Sequence, residues 1–209
     1  MNRPAAAAIA ALLLAGSAGL ASAQMPAMPP PVTDPAMALG GHYVLDAHHG
    51  TMILRVRHMG LARSTFRMDK VQAGYDFDPA RPDAAKVSAT IDANSFDQGD
   101  PGISAQFAKE FLDAPNHPTI TFTSTALHRT GPNTGTMTGD LTLAGVTKPV
   151  TLDVKFDGFR PGGAMGPARM GFSATGVVNR ADFNVGPQIP VAIVGNVDVE
   201  LEMEFVKAP

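Results

Sequence analysis

The chain has no cysteine, no tryptophan and only two tyrosines. Without cysteine there is no disulfide framework, no thiol nucleophile and no acyl-anchored lipoprotein cysteine, so the folded part must be held by its core alone. Charge is also sparse, at 17% of residues with a net charge of −3, and lysine and arginine form no run. Nucleic acid is therefore excluded as a partner, and the sequence offers no steering toward an anionic surface.

The amino end carries a basic start (Met1, Asn2, Arg3), an apolar stretch from Ala5 to Leu20 and the small residues Ala21-Ser22-Ala23. This is the pattern of an export signal, with cleavage expected before Gln24 and a periplasmic mature protein. The stretch is rich in alanine and glycine and lacks the ~20 strongly apolar residues that span a bilayer. Residues 24–40 hold Pro26, Pro29, Pro30, Pro31 and Pro35, so backbone donors are missing. The segment reads as a flexible Pro-rich tether that contributes little packing.

After Gly40 the pattern changes to period-two alternation, the signal of strands with one buried face. Met52, Leu54 and Val56 share one parity, and His58 extends it. The same pattern recurs at Val87, Ala89 and Ile91, and at Ile120, Phe122 and Ser124, where threonines fill the opposite parity. It returns at Leu141 and Leu143, at Val150, Leu152, Val154 and Phe156, at Met170, Phe172 and Ala174, and finally at Val197, Val199, Leu201, Met203 and Phe205. Turn chemistry separates these runs, as at Asp78-Pro79, Gly131-Pro132-Asn133 and Pro161-Gly162-Gly163, which favours consecutive antiparallel strands over crossover helices. One interval breaks the period: Ile103, Phe107, Phe111 and Leu112 fall at helical spacing behind Asp100-Pro101, a cap and first turn. The pattern predicts an all-β antiparallel fold of about eight strands with one short helix. Alternation alone leaves sandwich and barrel both open, and with them a filled core and a hollow one.

Catalytic and metal chemistry find little support. A Gly-x-Ser-x-Gly elbow is absent, so a hydrolytic triad has no place to sit. Six histidines occur, at 42, 48, 49, 58, 117 and 128, but His48 and His49 are adjacent and in a strand point to opposite faces, so they cannot both ligate from one side. His58 has the inward parity, which fits a satisfied structural histidine first and, as the alternative, a polar handle near the barrel mouth. Arg180 and Asp182 are spaced to leave one face of a strand, as a structural ion pair at a corner.

Several segments together resemble the YceI-like family of polyisoprenoid-binding periplasmic proteins. They are Tyr43-Val44-Leu45-Asp46 through His49 to Val56-Arg57-His58-Met59-Gly60, then His117-Pro118-Thr119-Ile120-Thr121-Phe122 behind Glu110-Phe111-Leu112-Asp113. A third comprises Thr138-Gly139-Asp140-Leu141-Thr142-Leu143 with Gly145-Val146-Thr147-Lys148-Pro149-Val150, and a fourth Gly171-Phe172-Ser173-Ala174-Thr175 with Asn179-Arg180-Ala181-Asp182-Phe183. The turn Gly99-Asp100-Pro101-Gly102-Ile103-Ser104-Ala105-Gln106 departs from the family's basic, acidic and His-containing pattern there.

The resemblance implies a lipocalin-like barrel over residues 41–207 that binds a long isoprenoid lipid, of quinone or polyprenyl type, without a covalent cofactor and without catalysis. Its lining is then expected from the inward parities and the helix: Met52, Leu54, Val56, His58, Val87, Ile91, Phe107, Phe111, Leu112, Ile120, Phe122, Leu141, Val154, Phe156, Met170, Phe172, Val199, Leu201 and Met203. The rival expectation is a ligand-free interaction module that docks transiently to a membrane redox protein. A homodimer is left open.

Overall fold

The computed structural model describes residues 28–164, 166–186 and 193–209. The export signal and the first residues of the Pro-rich segment lie outside them. Ten strands follow one another as β1 (Gly41–His58), β2 (Ala62–Met68), β3 (Val71–Phe77), β4 (Lys86–Asp92), β5 (Phe96–Asp97), β6 (Thr119–Arg129), β7 (Thr134–Leu143), β8 (Val146–Arg160), β9 (Arg169–Asn179) and β10 (Ile193–Lys207). One α-helix, α1 (Pro101–Glu110), stands between β5 and β6.

Eight of these strands close a ring in the order β1, β3, β4, β6, β7, β8, β9, β10, and β10 pairs back onto β1. Every ladder is antiparallel. Closure leaves the ring without an unpaired edge. β1 is long enough to change partners. Gly41–Val44 pair with β3, whereas Ile53–His58 pair with β2, which carries the short β5 on its far side. At that end the wall is therefore completed by a hairpin and α1.

The parities hold in space. Met52, Leu54 and Val56 of β1 stand opposite Leu201, Val199 and Val197 of β10, Ala89 and Ile91 opposite Phe122 and Ile120, and Phe156 opposite Phe172. Thr119, Thr121, Thr123 and Thr125 are exposed on the outer pleat, where β-branched polar side chains suit a half-wet sheet. The helix starts as its sequence predicts, with Asp100 accepting from the Ile103 N–H at 3.0 Å. The face it buries is shifted: Ser104 and Ala108 are buried while Ile103 is 39% exposed. Ile103 thus leaves the predicted stripe, which consists of Phe107, Phe111 and Leu112. Arg180–Phe183 form a turn of 3₁₀ helix rather than strand.

The second half of the Pro-rich segment is not a free tether. Val32 makes an isolated bridge to Phe159, with N–H to O distances of 3.0 and 2.8 Å. Ala38 is buried, and Leu39 O accepts from the Tyr43 hydroxyl at 2.8 Å. Proline removes its own donor but leaves Val32 both of its backbone groups, and these are the ones the barrel uses.

A bulge in β1 between Leu45 and Gly50 is fastened from inside its own loop. Asp46 accepts from the His48 N–H at 3.0 Å and lies 3.0 Å from His49 Nδ1. Arg169 of β9 donates to Asp46 at 2.7 Å and to Glu204 of β10 at 3.0 Å. The Arg169 guanidinium first, then His49 and the His48 N–H, hold the Asp46 carboxyl well below the usual carboxylate range. A depressed folded pKa gives stability that is present above the unfolded value of about 3.9 and lost as pH falls through the folded one. Asp46→Asn should therefore melt several degrees lower at neutral pH, and the gap to the parent should shrink on acidification below about pH 4. Parallel thermal melts across that range check it; a constant gap would show that the carboxylate contributes only its shape.

Candidate functional site

Large apolar side chains that face the inside of a barrel of this size can meet and fill it, or stop short of one another. Here they stop short. Phe122, Phe156, Met170 and Val199 are buried at the wall, but Met52, Leu54, Val56, Val154, Phe172, Leu201 and Met203 are only partly buried although they point inward. The space between them forms two abutting cavities of about 280 and 630 Å³. Met52, Ile91, Leu141, Val178 and Val199 line both, so the barrel is hollow along its length.

The smaller cavity is walled by Val87, Phe122, Val154, Phe156, Met170, Phe172, Leu201 and Met203 with Ala73, Tyr75, Ala89 and Phe205. Its outer end is rimmed by Asp83, His128, Arg129 and Asn133. The larger one is walled by Leu54, Val56, Ile120, Phe107 of α1 and Phe111 and Leu112 just past its end, and reaches His58, Ser64, Gln98 and Arg180. Every residue that parity and helical spacing assign to the lining therefore borders a cavity, including His58, which is exposed at the outer end.

Aromatic packing sets the shape of each half. Tyr75 stacks on Tyr43 at 5.5 Å between ring centroids and meets Phe205 edge-on at 5.0 Å. Under α1, Phe66 lies 5.0 Å from Phe96, and Phe107 lies 4.7 Å from Phe111. Polar atoms in the wall are capped by their neighbours. The Tyr75 hydroxyl donates to the Met170 sulfur at 3.0 Å, and burial pushes both Tyr75 and Tyr43 up, away from ionisation. Ser124 Oγ accepts from the Val87 N–H at 2.8 Å where β6 bulges. Arg180 donates to the carbonyls of Val185 and Gly186, each at 2.9 Å. The result is an apolar bore with methionines at 52, 137, 170 and 203, side chains that adapt to an irregular occupant. Charge is confined to its ends.

Sequence reasoning missed Phe66, Met68 and Phe96, and on β3 Val71, Ala73, Tyr75 and Phe77, all of which line the hollow. The β3 alternation was there to be read, although Ala73 and Gly74 blunt it. Phe66 sits in the mostly polar stretch Ala62–Met68 and gives little signal. Among the described residues, Asp46, His49 and Glu204 bring one ligand atom each within 4.8 Å, but Arg169 already bonds both carboxylates and takes the place of a cation.

The sequence profile of the YceI-like domain matches residues 43–205. A UPF0312 protein of Pectobacterium carotovorum subsp. carotovorum (strain PC1) is 36% identical over 151 residues, covering 71% of this chain and 78% of the relative. The crystal structure of BcnA from Burkholderia cenocepacia superposes with a TM-score of 0.66 at 27% identity, over 77% of this chain and 98% of BcnA. A polyisoprenoid binding domain from Saccharophagus degradans, implicated in plant cell wall breakdown, shares the fold with a TM-score of 0.60 at 16% identity, over 79% of this chain and 98% of that domain.

Proposed function

The chain belongs to the YceI-like family, and on that premise we propose that it is a periplasmic carrier that holds one long-chain isoprenoid lipid, of quinone or polyprenyl type, along the axis of its barrel. The observation that carries this reading is the hollow apolar bore running between two polar-rimmed ends. An isoprenoid chain in water costs about 25 cal/mol per Å² of exposed apolar surface, so burying several hundred Å² supplies most of the affinity with few polar contacts. A bore faced by methionine, phenylalanine and β-branched residues adapts to methyl-branched units. The Saccharophagus degradans domain supports the reading as a barrel of the same fold described as polyisoprenoid binding. The export pattern of residues 1–23 supports the periplasm, where a water-insoluble lipid needs a carrier to leave one membrane for another.

The rival, a ligand-free docking module, requires a filled core. Half-buried side chains around empty volume disfavour it, since a dry apolar void costs stability with no return. Organic extraction of the protein purified from its native periplasm, followed by mass spectrometry, should give a prenyl lipid near one per chain. A protein that yields no lipid, or yields only fatty acids, would overturn the proposal.

A further inference from the structure

The β1–β2 hairpin stands at the end of the larger cavity and carries two long apolar side chains that no described residue covers. Met59 is 59% exposed and Leu61 82%. The turn is of type I′: Leu61 N–H donates to His58 O at 3.0 Å, and both central residues have positive φ, +52° for Met59 and +74° for Gly60. Asparagine or glycine is favoured at the first of these positions, and a methionine held left-handed costs stability. The β7–β8 turn has the same handedness at Ala144 and Gly145, but there the first residue is short and packs against the core. At the β1–β2 tip a strained position instead presents an apolar side chain to solvent.

Behind the tip, Arg57 and Arg63 are direct cross-strand partners, a like-charge pairing that weakens a ladder. Arg57 reaches toward the tip, 3.4 Å from Gly60 O. The carboxylate of Asp198 is 3.9 Å from Arg63, and Glu200 is engaged by Arg55. In a chain of net charge −3, the hairpin thus assembles a cationic collar under an apolar point, which neither strand shows when read alone.

We propose that this hairpin docks the barrel to an anionic bilayer. Met59 and Leu61 enter below the head groups, and Arg57 and Arg63 pair with lipid phosphates, which removes their mutual repulsion. His58 and Ser64 of the same hairpin wall the larger cavity, so docking sets that end of the hollow against the membrane. The docking stands on the hairpin alone; the passage of a lipid through that end rests on the carrier reading.

The test is flotation of the full purified protein with vesicles of phosphatidylcholine, alone or mixed with phosphatidylglycerol, at low and high salt. The protein should float with the mixed vesicles at low salt and be released at high salt. Leu61→Ser should weaken binding by roughly tenfold or more, and Arg57→Gln with Arg63→Gln should remove the preference for phosphatidylglycerol. Met59→Asn should raise the melting temperature while weakening binding, a combination that a purely structural tip cannot give. No flotation, or flotation unchanged by Leu61→Ser, would overturn the proposal. So would a dimer in solution that Leu61→Ser dissociates, since the tip would then be a contact between copies. Vesicle binding is scored whatever the lipid content, so a protein that floats through its tip but yields no prenyl lipid on extraction overturns the carrier reading and leaves the docking in place.

Discussion

Phe122→Asp should leave no folded barrel, whereas Ala89→Phe should leave a folded barrel with no lipid in it. Phe122 is 8% exposed on β6, flanked by Ala89 on one side and Leu141 on the other. Its ring lies over Gly139, close enough that a Cβ there would come within 2.4 Å of a ring carbon. The described neighbours there, Ala89, Leu141 and Gly139, offer a carboxylate no side-chain cation or donor. Burying it unpaired costs several kcal/mol, a large part of the roughly 5–15 kcal/mol that holds a domain together. Ala89 has the same parity and the same wall, but it borders the open volume of about 280 Å³. A ring added there enters free space and blocks the bore. Circular dichroism and melting temperature report the fold, and extraction reports the lipid. A filled core predicts a different second result, in which Ala89→Phe overpacks and loses about 1–3 kcal/mol. A stable Ala89→Phe protein still loaded like the parent would place the lipid elsewhere and sink the assignment of the bore.

The contrast between those two positions shows what alternation can and cannot encode. Phe122 and Ala89 share a face because side chains on a strand repeat every second residue, and that rule needs no knowledge of partners. Whether the facing side chains meet depends on closure: β10 returns to β1 after some 140 residues of chain, and the number of strands in the ring sets its width. The same limit explains the hairpin. Arg57 and Arg63 form a collar only once β2 folds back on the second half of β1, so a search for basic runs finds nothing there. The bulge at Asp46–His49 was invisible for a related reason, since its anchor, Arg169, lies on another strand. The helix cap is local and was legible at Asp100; the helix face is tertiary, and Ile103 lost its place to Ser104, whose hydroxyl bridges the Gln98 N–H at 3.0 Å and the Asp97 carboxylate at 3.2 Å. Val32 was masked by the prolines around it.

Replacing both Phe107 and Phe111 by alanine should speed exchange of a bound prenyl lipid by roughly tenfold or more while the barrel stays folded. β5 is two residues long and ends the row of strands beyond β2, so at that end the hollow is closed by α1 rather than by a full ladder. Phe107 leans on Phe66 and Phe96 and lies 4.7 Å from Phe111, and both rings wall the larger cavity. Both are only partly buried, so their loss costs less than the 3–5 kcal/mol of a fully buried phenylalanine, on the order of 1–3 kcal/mol each. The eight-strand ring does not depend on them, because its ladders run through β1, β10 and their neighbours. What they restrain is the helix, which otherwise rests on the short β5 and the turn at Ala93–Ser95. Local opening of such a unit requires less free energy than global unfolding, and weakening its apolar seat raises the open population directly. A lower melting temperature is expected of any large-to-small change and decides nothing. Exchange of a fluorescent prenyl probe decides: a folded double variant that releases its probe at the parent's rate would mean that lipid passes elsewhere, with α1 a fixed part of the wall.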